Sequence, residues 1–253
     1  MDLGLRNRVN IVTGGTRGLG RAAARELVAD GARVVVSGRS EKSVTAAAEE
    51  LGGPGQAVGV VADNADTATP DRLIAAARDA FQRLDGVLIS VGGPPSGTSD
   101  LVDDDQWRAA FESVFLGAVR LSRAVAAELG EGGVIGFVLS SSVYEPVPGL
   151  AISNAFRPGL AGYAKNLSNE LGPEASASSA SSPPTSKPTG YANSTPAAAT
   201  PTPPAPLRPP ASPCAATETP DEFDRSAAFL LSPAAAYLTG VMLSIDGGVR
   251  RGF

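Results

Sequence analysis

The chain has 253 residues, of which 43% are hydrophobic, and a formal net charge of −5 at pH 7. This length suits one large α/β domain or two small ones, and the negative charge argues against a protein that mainly binds nucleic acid, whose phosphates require a basic surface. The sequence has no histidine and one cysteine, which excludes Ser-His-Asp and Cys-His catalysis, histidine-ligated metals and an internal disulfide.

Targeting and membrane signals are also missing from the sequence. No apolar run approaches the length of a membrane span, and the first residues, MDLGLRNRVNIVTGG, lack the pattern of a signal peptide. We therefore expect a cytoplasmic protein with no membrane partner and no bound metal.

Short β-branched runs alternate with segments of helical periodicity from the beginning of the sequence. The predicted strands are VNIV, ARVVVSG, AVGVVAD, DGVLIS and GGVIGFVLSSS. The predicted helices are GLGRAAARELVADG, SEKSVTAAAEELGG, TPDRLIAAARDAF and DDDQWRAAFESVFLGAVRLSRAVAAELG. This alternation predicts a doubly wound α/β domain, with a mainly parallel sheet and helices on both of its faces.

The glycine-rich turn TGGTRGLG, Thr13 to Gly20, follows the first predicted strand and opens the first helix. Its glycines form the pattern G-x-x-x-G-x-G. Glycine lets the backbone turn tightly and approach a pyrophosphate, which then lies on the helix N-terminus. A tight turn without a ligand is the alternative interpretation, but the position between first strand and first helix favours dinucleotide binding.

The residues after the second predicted strand bear on which dinucleotide is bound. An acidic residue at this place favours NAD, whereas this strand ends in Ser37, Gly38, Arg39 and Ser40. Arg39 and Arg17 are placed to face a 2′-phosphate, with Ser37 or Ser40 donating a hydrogen bond. We therefore expect NADP rather than NAD, with two merely solvated arginines as the alternative.

Four stretches resemble the short-chain dehydrogenase/reductases, particularly their acyl-carrier-protein ketoreductase-like members. TGGTRGLG is similar to the family's T-G-x-x-x-G-x-G turn, VVADNAD to its third-strand end and YLTGVMLSIDGG to its final strand. LISVGGPP stands where the family usually has N-N-A-G, of which only Gly92 is kept. The resemblance covers residues 5 to about 173 and 219–248. It implies a single Rossmann-type domain over 1–253 with a parallel sheet of about seven strands.

The resemblance also implies where the cofactor is held. The glycine-rich turn would hold the pyrophosphate, and Asp63 would hold the adenine beside Asn64. The predicted NADP-binding residues are Gly14, Thr16, Arg17, Gly18, Leu19, Gly20, Ser37, Arg39, Asp63, Asn64 and Gly92.

The family's catalytic tetrad of Asn, Ser, Tyr and Lys is only partly kept in this chain. Alignment with the family motifs places Val114 at the Asn position, Ser140 at the Ser position, Ser153 at the Tyr position and Arg157 at the Lys position. In the family the Tyr donates a proton to the developing alkoxide, while the Lys lowers the pKa of that Tyr and holds the nicotinamide ribose. One residue of the four is therefore retained.

Ser140, Ser153 and Arg157 are the predicted catalytic residues. Ser153 and Arg157 are four residues apart on a predicted helix and can face one cleft, where Arg157 would grip the ribose or stabilise an oxyanion. Serine is a poor acid, so a water held by Ser140 and Ser153, or the phenol of Tyr144, is the candidate proton donor. A solvated helix start is the alternative interpretation of Ser153 and Arg157.

Two other positions are predicted to pack rather than to react. Tyr163 precedes Lys165 by two residues, so their side chains point to different faces of a helix and do not rebuild the missing Tyr-Lys pair. Val114 belongs to an apolar stripe with Trp107 and Phe111, which predicts a place in the core.

Residues from about 175 to 219 are almost all Ala, Ser, Pro and Thr, a composition typical of a disordered linker. The family has a G-I-R-V-N strand, a P-G loop and a substrate-covering helix here. With plausible codons, a shifted frame turns EASASSASSPPTSKPTGYANS into GVRVVGLLPAYIETDRVREL and ASPCAATET into VPLRRYGD. We therefore hypothesise that 175–219 is a frame-shifted reading caused by two compensating insertions or deletions, in which case Cys214 is absent from the folded protein. A genuine linker is the alternative.

The expected function is that of an NADP-dependent oxidoreductase, which transfers hydride between nicotinamide and a small carbonyl or alcohol substrate at a nonstandard active site. The alternative is a catalytically impaired NADP-binding protein that acts as a sensor or partner subunit. The predicted helices at DDDQWRAAF and SNAFRPGLAGYAKN correspond to the family's dimerisation helices, which implies a homodimer or homotetramer.

Overall fold

A parallel sheet of five short strands runs through the computed structural model, which describes residues 2–177 and 220–248. The strands are β1 (Val9–Val12), β2 (Arg33–Gly38), β3 (Ala57–Val61), β4 (Gly86–Ile89) and β5 (Val134–Phe137). Their order is β3-β2-β1-β4-β5, and all neighbours are parallel. Because the winding reverses between β1 and β4, a crevice opens at the carboxyl ends of these two strands.

The described helices lie where the sequence predicted them, except for the last one, at PDEFDRSAAFL, which was not predicted. They are α1 (Gly18–Ala29), α2 (Glu41–Glu50), α3 (Thr69–Phe81), α4 (Asp104–Ala110), α5 (Gly117–Glu128), α6 (Ala151–Ala177) and α7 (Pro220–Leu230). The long helix predicted from DDDQWRAAF onward begins at a capping box formed by Asp103 and Gln106, which satisfies free N–H groups of its first turn. A π-helical stretch, Phe111–Leu116, joins α4 to α5.

Both faces of the sheet are covered by helices, as the alternating pattern predicted. Successive side chains of a strand point to opposite faces, so Ile11 and Val12 of β1 belong to different core clusters. The Ile11 cluster includes side chains of α3, α5 and α6, and the Val12 cluster includes side chains of α1, α2 and α7. The doubly wound arrangement is therefore confirmed.

The expected number of about seven strands differs from the five in the described part of the chain. The predicted final strand, YLTGVMLSIDGG, is not hydrogen-bonded into the sheet, and its Met242 and Leu243 are 43% and 38% exposed. A strand at a sheet edge needs a neighbour to accept and donate its backbone hydrogen bonds. The neighbour expected from the resemblance would come from the segment at 175–219, which from residue 178 onward lies outside the described residues.

The frame-shift hypothesis for 175–219 therefore stays a prediction, and Cys214 also lies outside the described residues. Within 2–177 and 220–248, no helix combines the length and the apolar character that crossing a bilayer requires.

Candidate active site

The glycine-rich turn leaves β1 and enters α1 with a backbone that only glycine accommodates. Gly14 has φ +60°, and a Cβ built on it would lie 2.4 Å from the carbonyl oxygen of Ser90. A Cβ on Gly20 would lie 2.6 Å from the carbonyl oxygen of Gly14. The turn is therefore folded tightly against the end of β4 and the start of α1.

The first turn of α1 has no side chain that satisfies its backbone N–H groups. Arg17 occupies the cap position with an extended backbone and no capping hydrogen bond, and the first turn carries no acidic residue. Free N–H groups and the positive end of the helix dipole attract anions. Together with the close backbone approach at Gly14 and Gly20, this N-terminus fits the pyrophosphate of a dinucleotide.

Hydrogen bonds to the ends of β2 and β4 fix the position of the glycine-rich turn. The buried hydroxyl of Thr13 accepts from the Ser90 N–H at 2.9 Å and donates to the Ser90 carbonyl at 3.1 Å, and the Gly15 N–H donates to the Ser37 carbonyl at 3.1 Å. Thr13 was not among the predicted site residues, although it begins the motif from which the site was predicted. Its role depends on Ser90, a partner 77 positions away.

The residues predicted to read the adenosine ribose follow β2. Ser37 is 1% exposed, and the hydroxyl of Ser40 accepts from the Ser43 N–H and caps α2. Arg17 and Arg39 are exposed, and in the described part of the chain neither forms an ion pair. The two guanidinium groups thus remain available for a charged ligand.

The other predicted cofactor residues belong to the glycine-rich turn and the start of α1, or follow the ends of neighbouring strands. Thr16 packs against Gly38, where a Cβ would lie 2.8 Å from the Thr16 methyl carbon, and Leu19 packs on the α1-side core. The remaining three follow the ends of β3 and β4: Asp63 and Gly92 are exposed, and Asn64 is half-buried with its carbonyl against Gly117.

Three hydrogen-bonded serines form a cluster between the end of β5 and the start of α6. Ser140 accepts from the Ser142 N–H at 3.2 Å, and the Ser142 hydroxyl donates to the Ser153 carbonyl at 3.3 Å and lies 3.1 Å from the Ser153 hydroxyl. Ser142 and Ser153 are buried, whereas Ser140 is half-buried. The structure therefore brings the predicted Ser140 and Ser153 together through Ser142, a residue whose only signal in the sequence was the run of three serines.

Arg157 lies one turn beyond Ser153 on α6 and is 5% exposed. One terminal nitrogen donates to the Val138 carbonyl at 3.0 Å, and the other donates to the Val91 carbonyl at 3.1 Å. Burial lowers the pKa of the guanidinium to about 10. No carboxylate of the described chain forms a salt bridge with it, so its charge is met by carbonyl dipoles alone.

The two positions predicted to pack do so: Val114 is in the interior, and the half-buried Tyr163 packs against the core. Val114 lies in the π-helical stretch and is 2% exposed. The Tyr163 ring meets Phe137 edge-on, its hydroxyl lies 3.0 Å from that of Ser122, and burial raises the pKa of the phenol. Tyr144, the other phenol considered, lies on the loop after β5 and is 38% exposed.

Comparisons with known proteins agree with this arrangement of turn, sheet and helix. A family model described as Enoyl-(Acyl carrier protein) reductase matches residues 14–250. The chain is 34% identical over 176 residues to human Dehydrogenase/reductase SDR family member 2, mitochondrial, a match that covers 67% of this chain and 62% of that protein. It is 30% identical over 253 residues to an uncharacterized oxidoreductase of Methylorubrum extorquens, covering 97% of this chain and 99% of that protein.

Solved structures share the fold at low identity. L-sorbose reductase from Gluconobacter frateurii, complexed with NADPH and L-sorbose, superimposes with a TM-score of 0.82 at 21% identity over the whole of both chains. The matched family model and the two relatives carry the assignment beyond the fold: the chain belongs to the short-chain dehydrogenase/reductase family.

Proposed function

We propose that the protein is an NADP-dependent oxidoreductase that interconverts a small carbonyl compound and its alcohol. One observation carries the proposal: an uncapped helix N-terminus, suited to a pyrophosphate, opens at the same sheet edge as the serine cluster of Ser140, Ser142 and Ser153. Ligands of open α/β sheets bind in the crevice at this edge, beside the point where the strand order reverses. The arrangement thus joins an anion-binding turn to a set of hydroxyl groups.

In the proposed complex, the glycine-rich turn binds the pyrophosphate while Arg17 and Arg39 bind the 2′-phosphate of the adenosine ribose. The absence of a carboxylate directly after β2 favours the phosphorylated cofactor, because an acidic residue there would repel it. Asp63 and Asn64 hold the adenine, and Gly92 leaves room beside the end of β4. The bound nicotinamide supplies or accepts the hydride.

The protein groups then have to manage the proton and the charge on the substrate oxygen. We assign to Ser140 a hydrogen bond to the substrate oxygen, since it is the half-buried member of the cluster. A water bound by Ser140 and Ser153 would deliver the proton. During reduction, the substrate oxygen would take a proton from this water, which would regain one from bulk solvent, and during oxidation the proton would move in the opposite direction. The buried charge of Arg157 favours the oxyanion through its field.

A second candidate function is cofactor binding without turnover, in a sensor or a partner subunit. It is favoured by the way in which the replaced residues are used: Ser153 is bonded to Ser142, and both terminal nitrogens of Arg157 are bonded to carbonyls. Neither side chain can donate a proton as the phenol of the family's Tyr does. The two functions share the cofactor site and differ only in chemistry.

Measurement of NADPH oxidation with a panel of aldehydes and ketones, together with NADPH binding, separates the two. The oxidoreductase proposal expects turnover on at least one carbonyl and a loss of about 100- to 1000-fold in kcat for Ser140→Ala, typical of a lost hydrogen-bond donor at a developing charge. Ser168→Ala is the control, because the Ser168 hydroxyl is buried, donates to the Lys165 carbonyl and lies outside the proposed site. Binding without turnover, and no effect of Ser140→Ala, would favour the second function.

The preference for NADP is tested through the exposed arginines. Hydrogen bonds to charged groups contribute about 1.5–3 kcal/mol, so Arg39→Ala should weaken NADPH about 10- to 100-fold and leave NADH unchanged. Arg123→Ala, which removes an exposed arginine on α5, is the control. Equal affinity of the wild type for NADPH and NADH would contradict the assignment.

We also propose that the protein assembles as a homodimer or homotetramer through α4, α5 and α6. An aromatic group lies on the π-helical stretch between α4 and α5 and on α6: Phe111, Phe115 and Phe156 have ring centroids 5.6 to 6.2 Å apart, and Phe111 is 40% exposed. Light scattering after size exclusion measures the assembly, and a monomer at micromolar concentration would contradict the proposal.

For 175–219, we propose that the printed residues are a frame-shifted reading of the substrate loop and helix. The relative from Methylorubrum extorquens supports this proposal, because a match that pairs 97% of this chain with 99% of that protein leaves no room for a long added linker. Resequencing of the gene tests this directly: an uninterrupted frame that encodes SKPTGYANS would show that the segment is a real insert. The intact mass of the protein distinguishes a sequencing error from a mutation.

A further inference from the structure

Arg157 connects two strand ends that are far apart in the sequence. Its terminal nitrogens donate to the carbonyls of Val138, directly after β5, and Val91, two residues after β4. The acceptors are 19 and 66 positions from Arg157. One guanidinium on α6 therefore links the carboxyl ends of the neighbouring strands β4 and β5.

Each of these carbonyls belongs to a residue within two positions of a residue of the proposed site. Val91 follows Ser90, which is bonded to Thr13 of the glycine-rich turn, and it precedes Gly92. Val138 stands two residues before Ser140, the half-buried hydroxyl of the serine cluster. A shift of either carbonyl would be passed directly to the turn or to Ser140.

Burial of this cation is costly and is not offset by an ion pair. Removal of a charge from water is strongly unfavourable unless hydrogen bonds or an opposite charge compensate. Within the described residues, Arg157 has two carbonyl acceptors, no carboxylate partner, and a buried Nε without any hydrogen bond. A planar guanidinium suits this place because its two terminal nitrogens point at two acceptors in a fixed geometry.

We propose that Arg157 is a positioning residue that holds the ends of β4 and β5 at the spacing required by the nicotinamide half of the cofactor, and that it does not itself grip the nicotinamide ribose. Both terminal nitrogens are already bonded to the protein, and the side chain is 5% exposed. This inference rests on the proposed dinucleotide site and assigns Arg157 a task different from that of the family's lysine.

Arg157→Lys distinguishes the two possible roles of this side chain. One is a bracket, meaning a side chain that holds the ends of β4 and β5 together, and the other is a contact with the nicotinamide ribose. A ribose contact would tolerate lysine, the residue that the resembled family uses at this position. A bracket would not, because one ammonium group on a single stem does not replace two separated nitrogens directed at Val91 and Val138. We expect Arg157→Lys to weaken NADPH about 10-fold, whereas 2′,5′-ADP, which lacks the nicotinamide half, should bind unchanged.

Arg157→Gln provides a second variant that removes the buried charge and therefore its desolvation cost. It should show the same selective loss of NADPH, and thermal melting followed by circular dichroism establishes that each variant is folded. Lys165→Met is the matched control: Lys165 is on the same helix and also donates to a carbonyl, that of Gly240 at 3.1 Å. We expect this control to bind NADPH and 2′,5′-ADP as the wild type does.

The outcomes separate this inference from the proposed function. Unchanged NADPH affinity in Arg157→Lys would overturn the inference, and so would an equal loss of NADPH and 2′,5′-ADP, which indicates general unfolding of the site. A wild type that binds NADPH but turns over no carbonyl would remove the oxidoreductase proposal and leave the bracket intact. A wild type that binds neither probe would overturn both.

Discussion

Two glycines of the turn allow a direct test of how tightly it is packed. Gly14 and Gly18 have nearly the same backbone conformation, with φ +60° and +55°. They differ in the space around them: a Cβ on Gly14 would lie 2.4 Å from the Ser90 carbonyl oxygen, whereas a Cβ on Gly18 would meet nothing within 4 Å. Gly14→Ala and Gly18→Ala therefore share the strain of a left-handed backbone and differ in the clash.

The expected costs follow from these two terms. A left-handed conformation costs a residue with a Cβ about 1–2 kcal/mol, which applies to both variants. Overpacking adds about 1–3 kcal/mol for Gly14→Ala alone. The Ser90 oxygen has little freedom to move away, because it accepts from the Thr13 hydroxyl and lies in a segment that is also bonded to Thr13 through its N–H.

Thermal melting followed by circular dichroism measures the difference. For a protein of this size, 1 kcal/mol corresponds to about 2–4 °C in Tm, so Gly14→Ala should melt about 2–12 °C below Gly18→Ala. Equal melting temperatures for the two variants would refute the reasoning, since they would mean that Ser90 yields without cost and that the turn is not pressed against β4.

Three further predictions concern the core and the surface. Asn10 is 1% exposed, and its amide has no hydrogen-bond partner in the described structure, so Asn10→Val should raise Tm by relieving a cost of about 1–3 kcal/mol; a lower Tm would contradict this. Burial, and then the charge of Asp224, raises the pKa of Glu26. Since the ionised form is disfavoured in the folded protein, Glu26→Gln should raise Tm at pH 7 and lose this gain as the pH falls from the raised pKa of Glu26 to its usual value of 4.5; a gain independent of pH would count against it. Tyr163→Phe should cost about 1 kcal/mol through the lost contact with Ser122 and leave kcat unchanged in a turnover assay, whereas a large fall in kcat would make the phenol catalytic.

The sequence alone predicted the elements that local chemistry controls. The run VNIV coincides with β1, and the glycines after it mark the turn. The acidic residues of DDDQWRAAF predicted the beginning of a helix, and in the structure α4 is capped by Asp103. Periods of two and of 3.6 residues, β-branched runs and capping residues act over a few positions. The doubly wound class and the glycine-rich turn follow from these local signals.

Only the tertiary structure decided which groups Ser153 and Arg157 contact. Ser153 and Arg157 were predicted to share a cleft from their spacing, but their partners are Ser142, Val138 and Val91, which are 11, 19 and 66 positions away. Such partners are set by how α6 packs across the carboxyl ends of β4 and β5. A helix pattern states which residues share a face; the carbonyls that meet this face depend on the packing of the whole sheet, because a buried donor must find an acceptor wherever the fold provides one.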